Sequence, residues 1–157
     1  MSDVLNAVRA LLNGAGIAFV EKHHEPTHTS EESARARGEP LRIGAKALVM
    51  KADGEYRLFV LPADRKVDSQ AIRRALGLKK LRFADAAELM ELTGLVPGSV
   101  PPFGPPVLAL PLVADPALLE NEKVAFNAGS LTTSIIMASA DYQRVSQAHW
   151  VSFASEA

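Results

Sequence analysis

Apolar residues follow two different spacings along this chain, and each spacing predicts a different kind of element. Near the start they recur three or four positions apart, at Val4, Leu5, Val8, Leu11 and Leu12. That period places side chains on one face of an α-helix. The sequence therefore predicts a first helix that packs this face on the core and ends at NGAG, residues 13–16.

A β-hairpin is predicted where two strand-like runs flank a short turn. The runs are IGAKALVMK at 43–51 and YRLFVLP at 56–62. Asp53 and Gly54 lie between them, and this pair suits a two-residue hairpin turn. An earlier run, IAFVEKH at 17–23, predicts another strand.

Short helices are predicted on both sides of the hairpin. Thr29 and Glu32 have the spacing of a capping box for a helix that ends at Gly38. Two more helices are predicted from Asp68 to Gly77 and over DAAELMELTG at 85–94.

The last third of the chain predicts three strands and one helix. The strands are VLALPLV at 107–113, KVAFNAG at 123–129 and TTSIIMA at 132–138. We expect the last two to pair across Gly129 and Ser130, and a final helix to start at a cap on Ser139. Since hairpins interrupt the alternation of strands and helices, the predicted class is α/β with mixed α+β character.

Composition favours one compact domain over residues 1–157. Hydrophobic residues make up 48% of the chain and charged residues 22%. The absence of cysteine excludes disulfides and thiol nucleophiles. Neither a signal-peptide pattern nor a bilayer-length apolar run is present, so we expect a cytoplasmic protein without a membrane partner.

Charge is unevenly distributed, although the net charge is only -1. Residues 35–82 hold 13 of the 17 Lys and Arg but 5 of the 18 Asp and Glu. Such an uneven distribution of charge favours the approach of a polyanion to one side of the protein. The alternative is that these charges are the solvated faces of helices and strands.

Most common catalytic motifs are absent from the sequence. His23, His24 and His28 are close together, but neighbours on a strand point to opposite faces and HExxH spacing is lacking. We expect surface histidines, with no metal and no cofactor. G-x-S-x-G, P-loop and G-x-G-x-x-G motifs do not occur either, which argues against hydrolases of that type, NTPases and dinucleotide binders.

The stretch VPGSVPPFG at 96–104 predicts a stiff loop whose backbone approaches a ligand or another segment closely. Proline fixes φ and removes donors, whereas Gly98 and Gly104 carry no Cβ. The remaining N–H groups belong to Gly98, Ser99, Val100, Phe103 and Gly104. A tight crossover between a helix and a strand is the alternative.

Two further stretches are candidates for chemistry. FNAGS at 126–130 places small residues after a strand, where open amides suit an anion or an oxyanion, although a hairpin turn explains them too. Lys46 and Lys51 are five positions apart on one predicted strand and should face opposite sides. Lys46 has small neighbours and could reach into a pocket, whereas most strand lysines face solvent.

In this order and with these separations, AKALVMK, GSVPPFG and FNAGSLTTSIIM resemble the YbaK/prolyl-tRNA synthetase editing-domain family of aminoacyl-tRNA deacylases. The resemblance runs from about Thr27 to Val145. It implies a mixed sheet, partly barrel-like, flanked by helices. It also implies hydrolysis of a mischarged small amino acid, namely alanine, 2-aminobutyrate or cysteine, from tRNA, with proline tRNA expected.

The resemblance also implies roles for individual residues. Lys46 would hold the terminal phosphate or ribose, the G-x-x-x-P loop from Gly98 to Pro102 would wrap the terminal adenosine and aminoacyl group, and amides at Gly129 and Ser130 would line the amino-acid pocket. The catalytic candidates are Lys46, Gly98, Gly129 and Ser130. The substrate-binding candidates are Lys51, Ser99, Val100, Pro102, Phe103, Gly104 and Asn127.

Implied partners are the acceptor end of aminoacyl-tRNA and either prolyl-tRNA synthetase or an elongation factor. The basic segment 35–82 would meet the acceptor stem. The sequence departs from the family pattern in two respects: Ala47 stands where some alanine-specific members have Asn, and Asn127 and Leu131 stand in the late region where some members carry a histidine. They motivate a non-catalytic nucleic-acid or nucleotide-binding module as the alternative, with a small-molecule binder as a third hypothesis.

Overall fold

The computed structural model describes residues 3–156. The helices of that range are Asp3–Gly14 (α1), Ser30–Arg37 (α2), Ser69–Leu76 (α3), Ala86–Thr93 (α4) and Ser139–Ser146 (α5). The strands are Phe19–His23 (β1), Ala45–Ala52 (β2), Glu55–Pro62 (β3), Arg65–Val67 (β4), Leu81–Phe83 (β5), Leu112–Ala114 (β6), Lys123–Asn127 (β7), Thr133–Ala138 (β8), His149–Trp150 (β9) and Ala154–Glu156 (β10). Leu41–Ile43 and Pro116–Glu120 form 3-10 turns.

The described strands form three sheets, which confirms the predicted mixed α+β class. The five-stranded sheet has the order β5-β2-β3-β6-β9, the three-stranded sheet β1-β8-β7, and the third pairs β10 with β4. In the largest sheet β6 is parallel to β3 and β9, while β2 is antiparallel to β3 and β5. An isolated parallel bridge joins Gly44 to Ala125, so the two larger sheets meet beside the start of β2.

The predicted hairpins are both present. β2 and β3 pair from Ala45 to Ala52, with Asp53 at φ 47° and Gly54 at φ 88° in the turn. Those left-handed values match the twist of the strands that the turn joins. β7 and β8 pair across the segment that contains Gly129 and Ser130.

Helices α1 and α3 pack into two separate core clusters, which use alternate residues of β2 and β3 and therefore lie on opposite faces of the large sheet. Leu5, Val8 and Leu12 of α1 belong to the main core, together with residues of β2, β3, β7 and β8. Ile72 of α3 packs with Phe59 and Phe153 in a second cluster. Burial of both faces of a sheet in this way is the usual reason for layered α and β structure.

Two predictions of local structure are wrong. Of the run 107–113, only Leu112 and Val113 lie in a strand (β6), because the preceding backbone turns and the amides of Val107 and Leu108 donate to the carbonyl of Gly104. Ser139 does not cap α5: it is the first residue of the helix, and its hydroxyl donates to the carbonyl of Asn121 at 2.5 Å.

Helix α2 has the predicted ends, and they matter for the site. The Thr29 side chain accepts from the amide of Glu32, the Glu32 carboxylate accepts from the amide of Thr29, and Gly38 ends the helix at φ 71°. Both ends of the helix are therefore set by local contacts. Within residues 3–156, no helix is long and apolar enough to cross a bilayer.

Candidate functional site

A cavity of about 230 Å³ lies between α2 and the start of β2. Four of the predicted catalytic and substrate-binding residues line it: Lys46, Gly98, Val100 and Asn127. The other lining residues are Thr27, His28, Thr29, Ser30, Ser33, Arg37, Gly44, Ala45, Ala47, Leu48 and Ala63. The tertiary structure thus brings together the strand lysine, the G-x-x-x-P loop and the end of β7.

A buried arginine forms one wall of this cavity. Arg37 is 6% exposed; its Nε donates to the Ser134 hydroxyl at 2.9 Å and its Nη2 donates to Oδ1 of Asn127 at 3.1 Å. No carboxylate among residues 3–156 forms an ion pair with it. Burial lowers the pKa of Arg37 to about 10, so the guanidinium stays charged at neutral pH. The cavity therefore holds a fixed positive charge.

Asn127 connects Arg37 to the loop. Its Oδ1 accepts from Arg37 and, at 3.1 Å, from the Ser134 hydroxyl. Its Nδ2 donates to the carbonyl of Gly98 at 2.8 Å and to Oγ1 of Thr27 at 3.4 Å. Each side-chain atom of the amide is therefore used, and buried polar groups satisfied in this way hold one conformation. The position of Gly98 depends on this contact.

Hydroxyl groups line the wall formed by the start of α2. Thr27 and Ser33 are buried and share a hydrogen bond at 2.8 Å. Thr29 and Ser30 extend this wall. His24 is not a lining residue, but its Nε2 contacts at 2.8 Å the Ser134 hydroxyl that also accepts from Arg37. The wall presents side chains that both donate and accept hydrogen bonds.

Lys46 and Lys51 face opposite sides of β2, as strand geometry predicts. Half-buried Lys46 lines the cavity and donates from Nζ to the carbonyl of Arg65 at 3.1 Å. Burial lowers its pKa, while the charges of Glu31 and Asp64 act in the opposite direction. Lys51 lies with Nζ 5.4 Å from the centroid of the Tyr56 ring, outside the cavity.

The edge of β2 next to the loop offers main-chain hydrogen-bonding groups. In a two-residue hairpin the residues beside the turn form a hydrogen-bonded pair, so alternate residues of β2 point their N–H and C=O away from β3. Val49 shows this orientation, since its carbonyl accepts a hydrogen bond from the amide of Ala84 at 2.9 Å and not from β3. Ala47 has the same orientation. Among the described strands, β5 pairs with β2 only at Met50–Ala52, which leaves the edge at Ala47 open.

The G-x-x-x-P loop has two different halves. Gly98 at φ 89° is exposed and lines the cavity together with Val100. In the part of the chain that the structure describes, the amides of Gly98 and Val100 donate to no protein acceptor, whereas the amide of Ser99 donates to the carbonyl of Val96 at 3.1 Å. The start of the loop is thus the part with amides free for a ligand.

The rest of the loop is structural. Pro102 accepts at its carbonyl from the Tyr142 hydroxyl at 2.7 Å, and Phe103 is 1% exposed against Tyr142 and Phe126. A Cβ on Gly104 would lie 2.7 Å from the carbonyl oxygen of Leu110. These contacts place Pro102, Phe103 and Gly104 outside the cavity lining. Burial among aromatic side chains raises the pKa of the Tyr142 hydroxyl.

The expectation of open amides after β7 is wrong for Gly129. Its amide donates to the carbonyl of Ser99 at 2.8 Å, and a Cβ there would lie 3.0 Å from Val4. Ser130 shares a hydroxyl hydrogen bond with Thr132 at 2.9 Å. Both residues lie at the hairpin turn, outside the cavity lining. The turn is hydrogen-bonded to the loop and packs against the start of α1, and the contact with α1 leaves no room for a side chain at Gly129.

Arg37 and the hydroxyl groups of the wall were not predicted from the sequence. Ser33, Ala34 and Arg37 form the buried face of α2. Their helical spacing was visible, but two of the three are polar, so a hydrophobic period does not mark that face. Over residues 3–156 no group of three His, Asp or Glu side chains is arranged to hold a metal ion.

Comparisons with known proteins agree with one another. Residues 24–145 match the model of the family described as the aminoacyl-tRNA editing domain. The chain is 40% identical over 151 residues, covering 92% of it and 89% of the relative, to the multifunctional Ser/Thr-tRNA deacylase ProXp-y of Escherichia coli (strain K12). A proline–tRNA ligase of Shouchella clausii (strain KSM-K16) is 33% identical over 111 residues, which cover 70% of this chain and 19% of the ligase.

Solved structures give the same result. A crystal structure described as a proposed trans-editing enzyme for prolyl tRNA synthetase superposes with a TM-score of 0.82, at 26% identity and 99% coverage of both chains. The resemblance drawn from the sequence motifs is therefore confirmed.

Proposed function

The chain belongs to the aminoacyl-tRNA editing domain family and is by that membership a hydrolase of aminoacyl-tRNA esters, and we propose that it removes serine or threonine from tRNA, in trans. The observation that carries the proposal is the hydroxyl wall of the cavity, built from Thr27, Thr29, Ser30 and Ser33. The substrate is the acceptor end of aminoacyl-tRNA, and the reaction takes place in the cytoplasm.

Selectivity for a hydroxyl-bearing amino acid follows from that wall. A site that hydrogen-bonds a substrate hydroxyl rejects the analogue without it by about 10⁴-fold or more, whereas an apolar pocket separates one methylene by only about 10- to 200-fold. Thr27 and Ser33 already pair with each other, so an incoming hydroxyl joins an existing network. The similarity to a Ser/Thr-tRNA deacylase supports the same substrate class.

A second candidate is the set expected from the sequence: alanine, 2-aminobutyrate or cysteine on proline tRNA. Ala45, Ala47 and Val100 supply an apolar side to the cavity that suits these side chains. The similarity to proline–tRNA ligases supports a link to that tRNA. In this case the partner is prolyl-tRNA synthetase, with an elongation factor as the alternative.

The chemistry needs little from side chains, because an aminoacyl ester is already activated. Hydrolysis requires the carbonyl to be held against donors and a water to be placed for attack. The amides of Gly98 and Val100 are the donors we assign to the carbonyl oxygen. Lys46 holds the terminal phosphate or ribose, and Arg37 with Asn127 fixes the loop. A free hydroxyl of the terminal ribose orients the water.

Single-turnover deacylation of proline tRNA tests the proposal when the same tRNA carries serine, threonine, alanine, 2-aminobutyrate, cysteine or proline. We expect rapid loss of serine and threonine and little loss of proline. Rapid loss of alanine or 2-aminobutyrate with serine spared would replace the first candidate by the second. Repetition with serine and threonine tRNAs then identifies the tRNA.

Loss of no amino acid from any of these tRNAs would contradict both candidates. A salt titration of tRNA binding would then test the non-catalytic module. Phosphate contacts make affinity fall steeply with salt, so a steep slope without hydrolysis identifies a binding module.

A further inference from the structure

A groove of about 110 Å³ adjoins the cavity and continues it along the edge of β2. Ala47, Leu48, Gly98 and Val100 line both spaces. The groove is completed by Val49, Phe83, Ala84, Asp85, Leu89 and Pro97. A ligand seated in the cavity can therefore extend into the groove without leaving the protein surface.

Phe83 forms one wall of the groove and is unusually exposed. Its exposure is 53%, whereas Phe59, Phe103, Phe126 and Phe153 are at most 2% exposed. The pairing of Phe83 with Met50 in the β5–β2 ladder holds its backbone in place. Covering an exposed aromatic ring is favourable because apolar area is removed from water. A flat ring is the partner that covers it best, since the two faces can stack.

The charge of the groove differs from that of the cavity. Asp85 is the one charged side chain among the lining residues that the structure describes, and it caps α4 by accepting from the amide of Glu88 at 2.8 Å. The cavity, by contrast, contains Lys46 and Arg37. A phosphate would be repelled from the groove, whereas a neutral ring with amine donors would not.

Main-chain groups complete the groove. The N–H and C=O of Ala47 point away from β3, and the described part of the chain provides no strand beside them. An adjacent donor and acceptor on a strand edge match the ring nitrogen and the exocyclic amine of a nucleobase. The groove thus combines a flat apolar wall with a polar edge.

We infer that this groove is the subsite for the base of the terminal adenosine, which stacks on Phe83 and directs its polar edge at the main chain of Ala47. The inference rests on the proposed function, because an amino acid in the cavity places the ribose at the residues that the two spaces share. The base then follows the ribose into the groove.

Fluorescence tests the subsite without any hydrolysis. The probe is an RNA minihelix that ends in 2-aminopurine riboside and carries serine through an amide bond. We expect its fluorescence to be quenched on binding to wild type and to Phe83→Tyr, which keeps the ring, but not on binding to Phe83→Ala. Val20→Ala is the matched control, since Val20 is also 53% exposed but lies outside the groove. Equal quenching by Phe83→Ala and wild type would overturn the inference.

Kinetics with an altered substrate provides the second arm. Phe83→Ala should raise KM about tenfold with kcat unchanged, as expected for the loss of one base–aromatic stack. On a substrate whose terminal nucleotide is abasic, wild type and Phe83→Ala should have the same KM. A tenfold difference on the abasic substrate would show that Phe83 acts through the fold and would refute the subsite.

The two proposals fail in different ways. If no ester is hydrolysed but the 2-aminopurine probe shows the Phe83-dependent quench, the deacylase proposal fails and the base subsite stands. If esters are hydrolysed and Phe83→Ala changes neither quench nor KM, the subsite alone is refuted. A circular dichroism spectrum and melting curve of each variant establish that the comparison is between folded proteins.

Discussion

Arg37 donates from Nη2 to Oδ1 of Asn127 over 3.1 Å, although the two residues lie 90 positions apart in the sequence. The contact joins the last turn of α2 to the end of β7, and Asn127 in turn holds the carbonyl of Gly98. This charged hydrogen bond, through Asn127, therefore links helix α2 to the loop that contains the free amides. The geometry of the cavity depends on it.

Arg37→Met should lower the free energy of unfolding by about 3 kcal/mol, because two hydrogen bonds from a charged group are lost inside the protein. Urea denaturation measures the effect. Arg35→Met, two positions away on the exposed face of α2, is the control and should change stability by less than about 0.5 kcal/mol. Equal stability of the two variants would contradict the structural role of Arg37.

Asn127→Asp should lower kcat about tenfold while leaving the fold intact. The carboxylate still accepts from Arg37, but the donor to the Gly98 carbonyl is lost and two oxygens face each other. Single-turnover deacylation measures the change. Asn121→Asp is the control, since the Asn121 amide likewise accepts from an arginine side chain and donates to a carbonyl, both of Arg42, but on the surface outside the cavity lining. A similar loss in both variants would show that the effect is general.

Lys46→Ala should lower kcat/KM by about tenfold or more, the equivalent of one hydrogen bond to a charged group. Lys51→Ala should leave kcat unchanged, because Lys51 lies on the other face of β2 and any contact with tRNA there would act on KM. Single-turnover and steady-state deacylation with the same batch of tRNA separate the two constants. Full activity of Lys46→Ala would remove the role assigned to Lys46.

The stability of wild type should rise relative to Lys46→Met as the pH increases toward 10.5. Burial lowers the pKa of Lys46 from its ordinary value of 10.5, so the unfolded chain keeps this proton to higher pH than the native state. Below the lowered pKa the cost of the buried charge is present in full, and it disappears as the pH rises from there to 10.5. Urea denaturation from pH 7 upward measures this, with exposed Lys66→Met as the control. A difference between wild type and Lys46→Met that does not change with pH would contradict it.

Gly104→Ala should destabilise the protein by about 1–3 kcal/mol, because its Cβ would lie 2.7 Å from the carbonyl oxygen of Leu110. Gly14→Ala, at the end of α1 with nothing within 4 Å of the added Cβ, should be neutral or stabilising by about 0.5–1 kcal/mol. Thermal and urea unfolding compare the two. A stable Gly104→Ala protein would show that the loop can move away.

Much of the secondary structure was predictable because it depends on neighbours in sequence. The capping box of Thr29 and Glu32, the left-handed Gly38 and the Asp53–Gly54 turn all formed as expected. The predicted strand over 107–113 formed only at its end, because the residues before Leu112 adopt turns and bends. The leucines among them are buried without strand pairing. Ser139 likewise has a partner in a distant segment, the carbonyl of Asn121.

The same distinction between local and long-range contacts applies to the residues of the candidate site. The motifs and their order were enough to recognise the family, and the period of a strand was enough to place Lys46 and Lys51 on opposite faces of β2. Only the tertiary structure showed that Gly98, Val100 and Asn127 share a cavity with Lys46, that the amide of Gly129 is already bonded, and that Arg37 is buried. Helix caps and turns depend on contacts within a few residues, whereas a polar network between α2, β7 and the loop exists only after these elements have packed together.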